Sequence, residues 1–203
     1  YGWTMAFDFA SLYPNTEIQW NISPETFIPN EYDLTPDDFL NMTMKATYAI
    51  NKAKELNCTI AANGMMYKKD ERGFLPELMK YCIDGRKIAK KEMLKLEQEY
   101  QRTKDESLLP KIAALNNRQL ALKIAANSAY GAIGNEGFHY YDYRIAASIT
   151  LCGQLSDIHL AQRMSEKFNA VIGTKGVDYV IYGDTDSIYL NCQKLVDRFM
   201  RDK

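Results

Sequence analysis

The stretch "VDYVIYGDTDSIYLNC", Val177–Cys192, decides how this chain reads. Two apolar, aromatic-rich runs flank Gly-Asp-Thr-Asp, which is the pattern of a β-hairpin with a tight turn. Asp184 and Asp186 stand one residue apart at the tip. Carboxylates held that close resist ionising together. A divalent cation removes the penalty, because Mg²⁺ favours carboxylate oxygens and completes its shell with water and phosphate oxygens. The tip is therefore a candidate metal platform, with Val180–Tyr182 and Ile188–Leu190 as the strands that hold it rigid. A plain turn remains open at this point.

Near the start of the chain, "WTMAFDFASLYP" reads as a short strand that runs into a turn, with Pro14 opening a short helix, "NTEIQW". Asp8 interrupts that apolar strand, where an unpaired buried carboxylate is costly. It is either bonded to a neighbouring turn or a metal ligand. If it approaches the hairpin, three carboxylates converge, a set that suits two metal ions. "SPETFIPNEYDLTPDDF" reads as loop or short turns, "TMKATYAINKAKELN" as helix, and "GMMYKKDERGFL" as two short strands around a turn. From Leu75 two helical runs of about 25 residues, separated by "TKDESLLP", make an antiparallel hairpin about 35–40 Å long. Its first helix places Leu78, Tyr81, Cys82, Met93, Leu94 and Leu96 on an apolar face. A further amphipathic helix, "ITLCGQLSDIHLAQRMSEKFNAVI", precedes the Asp184–Asp186 hairpin, and "KLVDRFMRDK" reads as a last helix. The class is α+β, with a helical excursion inserted into a sheet domain.

Composition narrows the function classes. The 203 residues are 46% hydrophobic, with no apolar run near the roughly 20 residues of a membrane span. No secretory leader is visible, and a chain opening on Tyr1 reads as a piece of a longer polypeptide. Four scattered cysteines without C-x-x-C spacing read as reduced, half-buried thiols of a cytoplasmic protein. Two isolated histidines argue against zinc. Lys and Arg number six against eleven Asp and Glu in residues 1–79, eleven against six in 80–123, and eight against nine in 124–203. A basic middle between acidic flanks makes the helical hairpin a candidate polyanion site.

Two stripes on that hairpin carry the charge. Lys123, Asn127 and Tyr130, spaced by four and three, share one helix face opposite Leu120, Ala121 and Ile124. No carboxylate lies between Arg118 and Ala132 to pair with Lys123, so a ligand phosphate suits it. Arg86 and Lys90 stand four apart beside Lys87 and Lys91, an arrangement that repels itself unless solvated or bridged by an anion.

Together "DFASLYP", "KIAANSAYG" and "YGDTDS" resemble motifs A, B and C of the family B DNA polymerases, in the family's order. "NISPETF", "NGMMYKKD", "NSAYGAIGN" and "YYDYR" are similar to the replicative polymerases of tailed bacteriophages. The resemblance covers essentially the whole chain. It implies a polymerase palm, an antiparallel sheet with packed helices, carrying an inserted antiparallel helical-hairpin fingers domain. Residues 1–73 would be the first part of the palm, 74–135 the fingers and 136–203 the second part of the palm. It implies nucleotidyl transfer of dNMP from a dNTP to a primer 3′-OH in viral DNA replication, by a two-metal mechanism. Asp8, Asp186 and, more weakly, Asp184 would hold two Mg²⁺ ions, or Mn²⁺ in their place, together with the carbonyl of Phe9. Ser11, Leu12 and Tyr13 would cradle the triphosphate, and the ring of Tyr13 would exclude a 2′-hydroxyl. Arg86, Lys90, Lys123 and Asn127 would bind the triphosphate, Lys123 acting in catalysis, with Tyr130 and Gly131 lining the nascent base pair. The implied partners are primer–template DNA, dNTPs, the exonuclease, N-terminal and thumb domains, and a sliding clamp reached through them. No membrane is involved, and the compartment is the infected host cytoplasm. Asn15 stands where the family often has Ser, and Ala129 where Leu is usual. No D-x-E, the proofreading signature, occurs in the chain. The alternative is a non-catalytic or split-polymerase subunit that binds nucleotide or DNA and needs partner chains.

Overall fold

The computed structural model describes residues 2–201, so the final Asp202 and Lys203 of the expected last helix lie outside the described residues. In chain order the elements are β1 (Thr4–Asp8), α1 (Leu12–Trp20), β2 (Phe27–Ile28), α2 (Pro36–Leu40), α3 (Met44–Glu55), β3 (Cys58–Ile60) and β4 (Met66–Lys68). They continue with α4 (Phe74–Thr103), a 3₁₀ turn (Glu106–Leu108), α5 (Leu109–Ile133), α6 (Tyr143–Ile172), β5 (Val180–Asp184), β6 (Ser187–Asn191) and α7 (Gln193–Arg201). Helices and small antiparallel sheets are thus mixed, as the α+β reading expects.

The strands form two three-stranded antiparallel sheets, ordered β1–β6–β5 and β2–β4–β3. In the first, Asp8 lies opposite Ser187, which in turn lies opposite Asp184. Alternation along β6 buries Ile188 and Leu190 and turns Tyr189 outward, onto Tyr182 at 5.7 Å between ring centroids. The inward face packs on the second half of α6 through Phe168, with Tyr179 and Cys192. The first half of α6 enters a second core, where Ile145, Ile149 and Cys152 meet Ile22, Tyr67 and Ile133. One 30-residue helix thereby joins both cores. Its start is fixed by Asp142, whose carboxylate accepts from the Arg144 backbone N–H (2.9 Å), and its end by Gly173 in the left-handed region (φ 82°). Polar bonds tie the second sheet to it. Tyr67 donates to Ser148 Oγ (2.7 Å), and Asn63 Nδ2 donates to the Arg144 carbonyl (3.0 Å).

Helices α4 and α5 form the expected antiparallel pair, but α4 runs 30 residues, about 45 Å. Its buried face also differs from expectation. Leu75, Met79, Cys82 and Ala89 point inward, whereas Leu78, Tyr81 and Leu94 are exposed. On α5, Leu120 and Ile124 are exposed as well, and the buried line runs through Ala126 and Ile133, with Leu122 and Ala129 partly buried. Small residues decide these faces. A Cβ on Gly85 would sit 3.2 Å from Leu122 Cδ1, so glycine and alanine positions let the two helices approach closely.

Other expectations are corrected locally. "GMMYKKDERGFL" holds one strand, β4, not two. Its partners are β2 and β3, because the residues after Lys68 lead directly into α4. The expected loop "SPETFIPNEYDLTPDDF" contains β2 and α2, the latter closed by a capping box between Thr35 and Asp38. Helix α1 begins at Leu12, two residues before Pro14. All four cysteines are free and fully buried, not half-buried.

Candidate active site

Strand β1 carries Asp8 to the tip of the first sheet. The next residue, Phe9, donates its N–H to the carbonyl of Asp186 at 2.7 Å, which pins the end of β1 to the hairpin turn. Two non-glycine residues around this junction take left-handed backbone: Ser11 (φ 55°) and Thr185 (φ 48°). For a β-branched residue such as Thr185 this is a strained conformation. The Asp186 N–H meets the Asp184 carbonyl at 2.5 Å within the same tight turn. Asn15 closes the loop from the other side, its amide donating to the carbonyls of Ala10 (2.7 Å) and Ser11 (3.2 Å). A serine is too short to span both, so the Asn at this position has a structural use.

Against this junction lies a cavity of about 680 Å³. Its walls bring together Asp8, Phe9, Ser11, Leu12 and Tyr13 from the β1–α1 segment and Asp186 from the hairpin. Arg86 and Lys90 come from α4, and Lys123, Asn127 and Tyr130 from α5. These residues were separate stripes in the sequence, and the α4–α5 pair folds them over one space. Arg86 is oriented by α5, its Nε donating to Gln119 at 3.4 Å. None of Arg86, Lys90 and Lys123 makes an ion pair among the described residues, whereas Lys80 and Lys87 on α4 share Asp84. Three unpaired cations on one side and two carboxylates on the other suit a polyanion carried with a hard cation. Tyr13 tilts onto Tyr130 at 4.8 Å between centroids. Burial, then the neighbouring Tyr130 and Asp186, push its hydroxyl above the usual tyrosine range.

Two candidates are not brought in. Gly131 does not line the cavity, and a Cβ there would meet nothing within 4 Å. Asp184 does not line it either. It ends β5, separated from Asp8 by the whole width of β6, so their backbones stand about two strand spacings, ~10 Å, apart. Its carboxylate accepts from Thr185 Oγ1 at 3.0 Å. Among the described residues no three His, Cys, Asp or Glu side chains gather closely enough to hold one ion. The donor chemistry of Asp8 and Asp186, carboxylates in an open polar cavity, fits a hard divalent cation. The expected third carboxylate is not assembled with them. Ala129 turns toward Met79, Cys82 and Ala126 between the helices, away from the cavity wall that Tyr130 forms.

Three residues around the site escaped the sequence reading. Thr185 lines the cavity. Asp157, on α6, reaches the underside of the hairpin at Gly183. Its Oδ1 is buried without a partner, and burial together with Asp186 raises its carboxyl above the usual range. Gly153, also on α6, faces α1: a Cβ there would lie 3.3 Å from both Leu12 Cδ2 and Tyr13 Cε1. The one available signal was glycine within a helix, which ordinarily costs about 1 kcal/mol relative to alanine. Overpacking outweighs that gain in helix propensity, at a cost of roughly 1–3 kcal/mol. Gly153→Ala is therefore expected to lower stability by about 1 kcal/mol in urea unfolding, despite the better helix former. A stabilised variant would show that α6 yields at this contact.

The comparisons accord with this geometry. The family model for DNA polymerase family B matches residues 3–199. The DNA-directed DNA polymerase of Escherichia phage RB69 is 31% identical across 100% of this chain, and that of Enterobacteria phage T4 is 32% identical across 98%. A DNA polymerase delta catalytic subunit from Oryza sativa is 30% identical across 89%. Among solved structures, the family B DNA polymerase of the archaeon Pyrobaculum calidifontis superposes with a TM-score of 0.59 at 26% identity. That match covers 98% of this chain and 21% of that one. The chain belongs to DNA polymerase family B. It spans about a quarter of the length of the phage relatives, 26% of each.

Proposed function

We propose that this chain is the palm and fingers portion of a DNA-directed DNA polymerase, and that the cavity between the hairpin tip and the α4–α5 pair is its nucleotidyl-transfer site. The observation that carries the reading is the meeting in one cavity of Asp8 and Asp186 with Arg86, Lys90 and Lys123, from four separated segments. Residues 1–73 and 136–203 would form the palm and 74–135 the fingers. Primer–template DNA and dNTPs are the substrates, and the remaining polymerase domains supply the grip on duplex DNA.

The residues divide the work by charge. Asp8 and Asp186, with the carbonyl of Phe9, would hold divalent magnesium, and Asp184 would join at another stage of the cycle. Bound there, the cations supply charge stabilisation at the attacking and leaving oxygens. Arg86, Lys90 and Lys123 neutralise the triphosphate, and backbone N–H groups from Ser11 to Tyr13 orient it, so most of the catalysis is positioning and electrostatics. The ring of Tyr13, in the cavity wall, would lie against the sugar and exclude a 2′-hydroxyl. Tyr130, tilted against it, would form the wall against the new base pair. Asn127 adds a neutral polar contact on the same helix face.

The test is template-directed incorporation by the complete polymerase chain that contains this segment. In it, Lys123→Ala removes a charged hydrogen bond worth about 1.5–3 kcal/mol. The variant is expected to weaken dNTP affinity by roughly ten- to a hundredfold while leaving primer–template affinity unchanged. Single-turnover incorporation as a function of dNTP concentration gives the first quantity and equilibrium DNA binding the second. A polymerase indifferent to Lys123 would remove it from the site. A wild-type chain that binds DNA and incorporates nothing would overturn the functional reading.

A further inference from the structure

Glu17 is the most anomalous side chain among the described residues. It is fully buried, at 0% exposure, and neither carboxyl oxygen has a hydrogen-bond partner. It lies on α1, one turn beyond Tyr13 and thus on the same face of the helix that follows the loop against the cavity. Helix α1 packs against α4, α5 and α6. The titratable groups on the buried or partly buried sides of these elements include Tyr13 on α1 itself, Cys82, Asp84 and Arg86 on α4, Tyr130 on α5, and Arg144, Cys152 and Asp157 on α6. None bonds to Glu17. Of the charged side chains on and around these elements, Arg72, Lys80, Arg86, Lys123 and Asp157 included, none pairs with it among the described residues. Arg72 donates instead to the carbonyl of Ile18, at 3.0 Å. Elements of this chain alone enclose Glu17, so a further domain has no route to it while they stay packed.

We propose that Glu17 is held as a neutral acid beneath the nucleotide loop, and that loss of its proton releases α1, and with it the segment Phe9–Tyr13, from the nucleotide-binding position. Glu17 is thus a positioning residue, acting through Tyr13. The side-chain bonds that tie α1 to the rest of the chain gather at its C-terminal end, where Arg72 reaches the Ile18 carbonyl and Thr59 the Trp20 carbonyl. The start of α1 has no side-chain cap, its first turn no acid and its last turn no base. Packing holds it, and packing is what an ionised, unpaired carboxylate cannot tolerate. Burial alone lifts the acid to about 8. The proton is therefore retained at neutral pH and leaves in the mildly alkaline range. Nucleotide binding needs α1 docked, so protonation and nucleotide binding favour each other, and by linkage each strengthens the other equally.

This inference rests on the nucleotide site proposed above, and three measurements on the complete polymerase chain separate the two. Difference infrared spectroscopy of wild type against Glu17→Gln should show a protonated-carboxyl C=O band that is lost near pH 8. Amide hydrogen exchange over residues 12–20, corrected for intrinsic rates, should show α1 opening about tenfold more per pH unit between 4.5 and 8 in wild type and levelling off above 8, with Glu17→Gln flat. Equilibrium binding of dATP with primer–template and Mg²⁺ should weaken about fivefold between pH 8 and 9 in wild type and stay level in the variant. The wild-type hydroxyl of Tyr13 titrates above this window, since its shift is upward from 10.0. Glu17→Met, neutral and flexible, provides the same comparison should the glutamine variant fold poorly. Equal pH dependence of α1 opening in wild type and both variants, or no carboxyl band at neutral pH, overturns the latch. If wild type binds no dATP at any pH, the nucleotide site fails, and infrared and exchange alone still decide whether Glu17 docks α1.

Discussion

Asp186→Ala in the complete polymerase chain is expected to lower single-turnover primer extension at least about a thousandfold. Losses of this size follow when one preorganised charge is taken from a phosphoryl-transfer site. Asp8→Ala should act alike, because the two carboxylates share the cavity and their backbones are joined by the bond from Phe9 N–H to the Asp186 carbonyl. Asp184→Ala should cost much less, on the order of tenfold. Its carboxylate lies outside the cavity and bonds to Thr185. Rapid-quench extension at saturating dNTP and Mg²⁺ gives the three rates, and DNA binding by each variant separates chemistry from folding. Equal losses for Asp184 and Asp186 would mean that the turn rearranges to bring the third carboxylate into the same cluster. Unchanged extension in Asp186→Ala would remove the metal assignment altogether.

How far the sequence could be read depended on the range of the interactions. The hairpin from Val180 to Asn191 was legible because alternation and turn chemistry are local. So was the α4–α5 pair, whose helical pattern persists for tens of residues. The buried faces of those helices were not legible. Leu78, Tyr81 and Leu94 are apolar at the right spacing and still exposed, because Gly85, Ala89 and Ala126 decide where α4 and α5 touch, and small residues carry no hydropathy signal. The strand pairing of β4 failed for a related reason. A three-residue strand takes its partners from the rest of the chain, here β3 just upstream and β2 from far upstream. At the site, the residue types were readable as stripes and pairs, and their motif resemblance joined them. What lies beneath them was not. Glu17, Gly153 and Asp157 sit one residue layer behind the cavity, on helices whose patterns gave no reason to separate them from ordinary neighbours.

Glu17→Gln is expected to stabilise this chain strongly at neutral pH and not at all in acid. The folded protein keeps the Glu17 proton until about pH 8, whereas the unfolded chain releases it near the ordinary value of 4.5. A raised folded value means that the acid contributes its full share below 4.5. Stability then falls by about 1.4 kcal/mol per pH unit between 4.5 and 8 as only the unfolded state ionises. At pH 7 the accumulated loss is roughly 3 kcal/mol, a large part of a typical folding free energy of about 5–15 kcal/mol. Glutamine keeps the shape and the unpartnered polar end but cannot ionise in either state, so the difference between the two proteins isolates the proton. Urea unfolding at pH 4, 5.5 and 7 should therefore give a gap near zero, then about 1 kcal/mol, then roughly 3 kcal/mol, with unchanged dependence on urea. A gap that does not vary with pH would mean that Glu17 is ionised in the folded protein, and that the core around α1 admits water or an unseen partner. The same proton then has two readouts. In stability it acts through the unfolded state between pH 4.5 and 8, and in nucleotide binding through the folded state above 8. Agreement between the two on one value for the folded acid is a stricter requirement than either result alone.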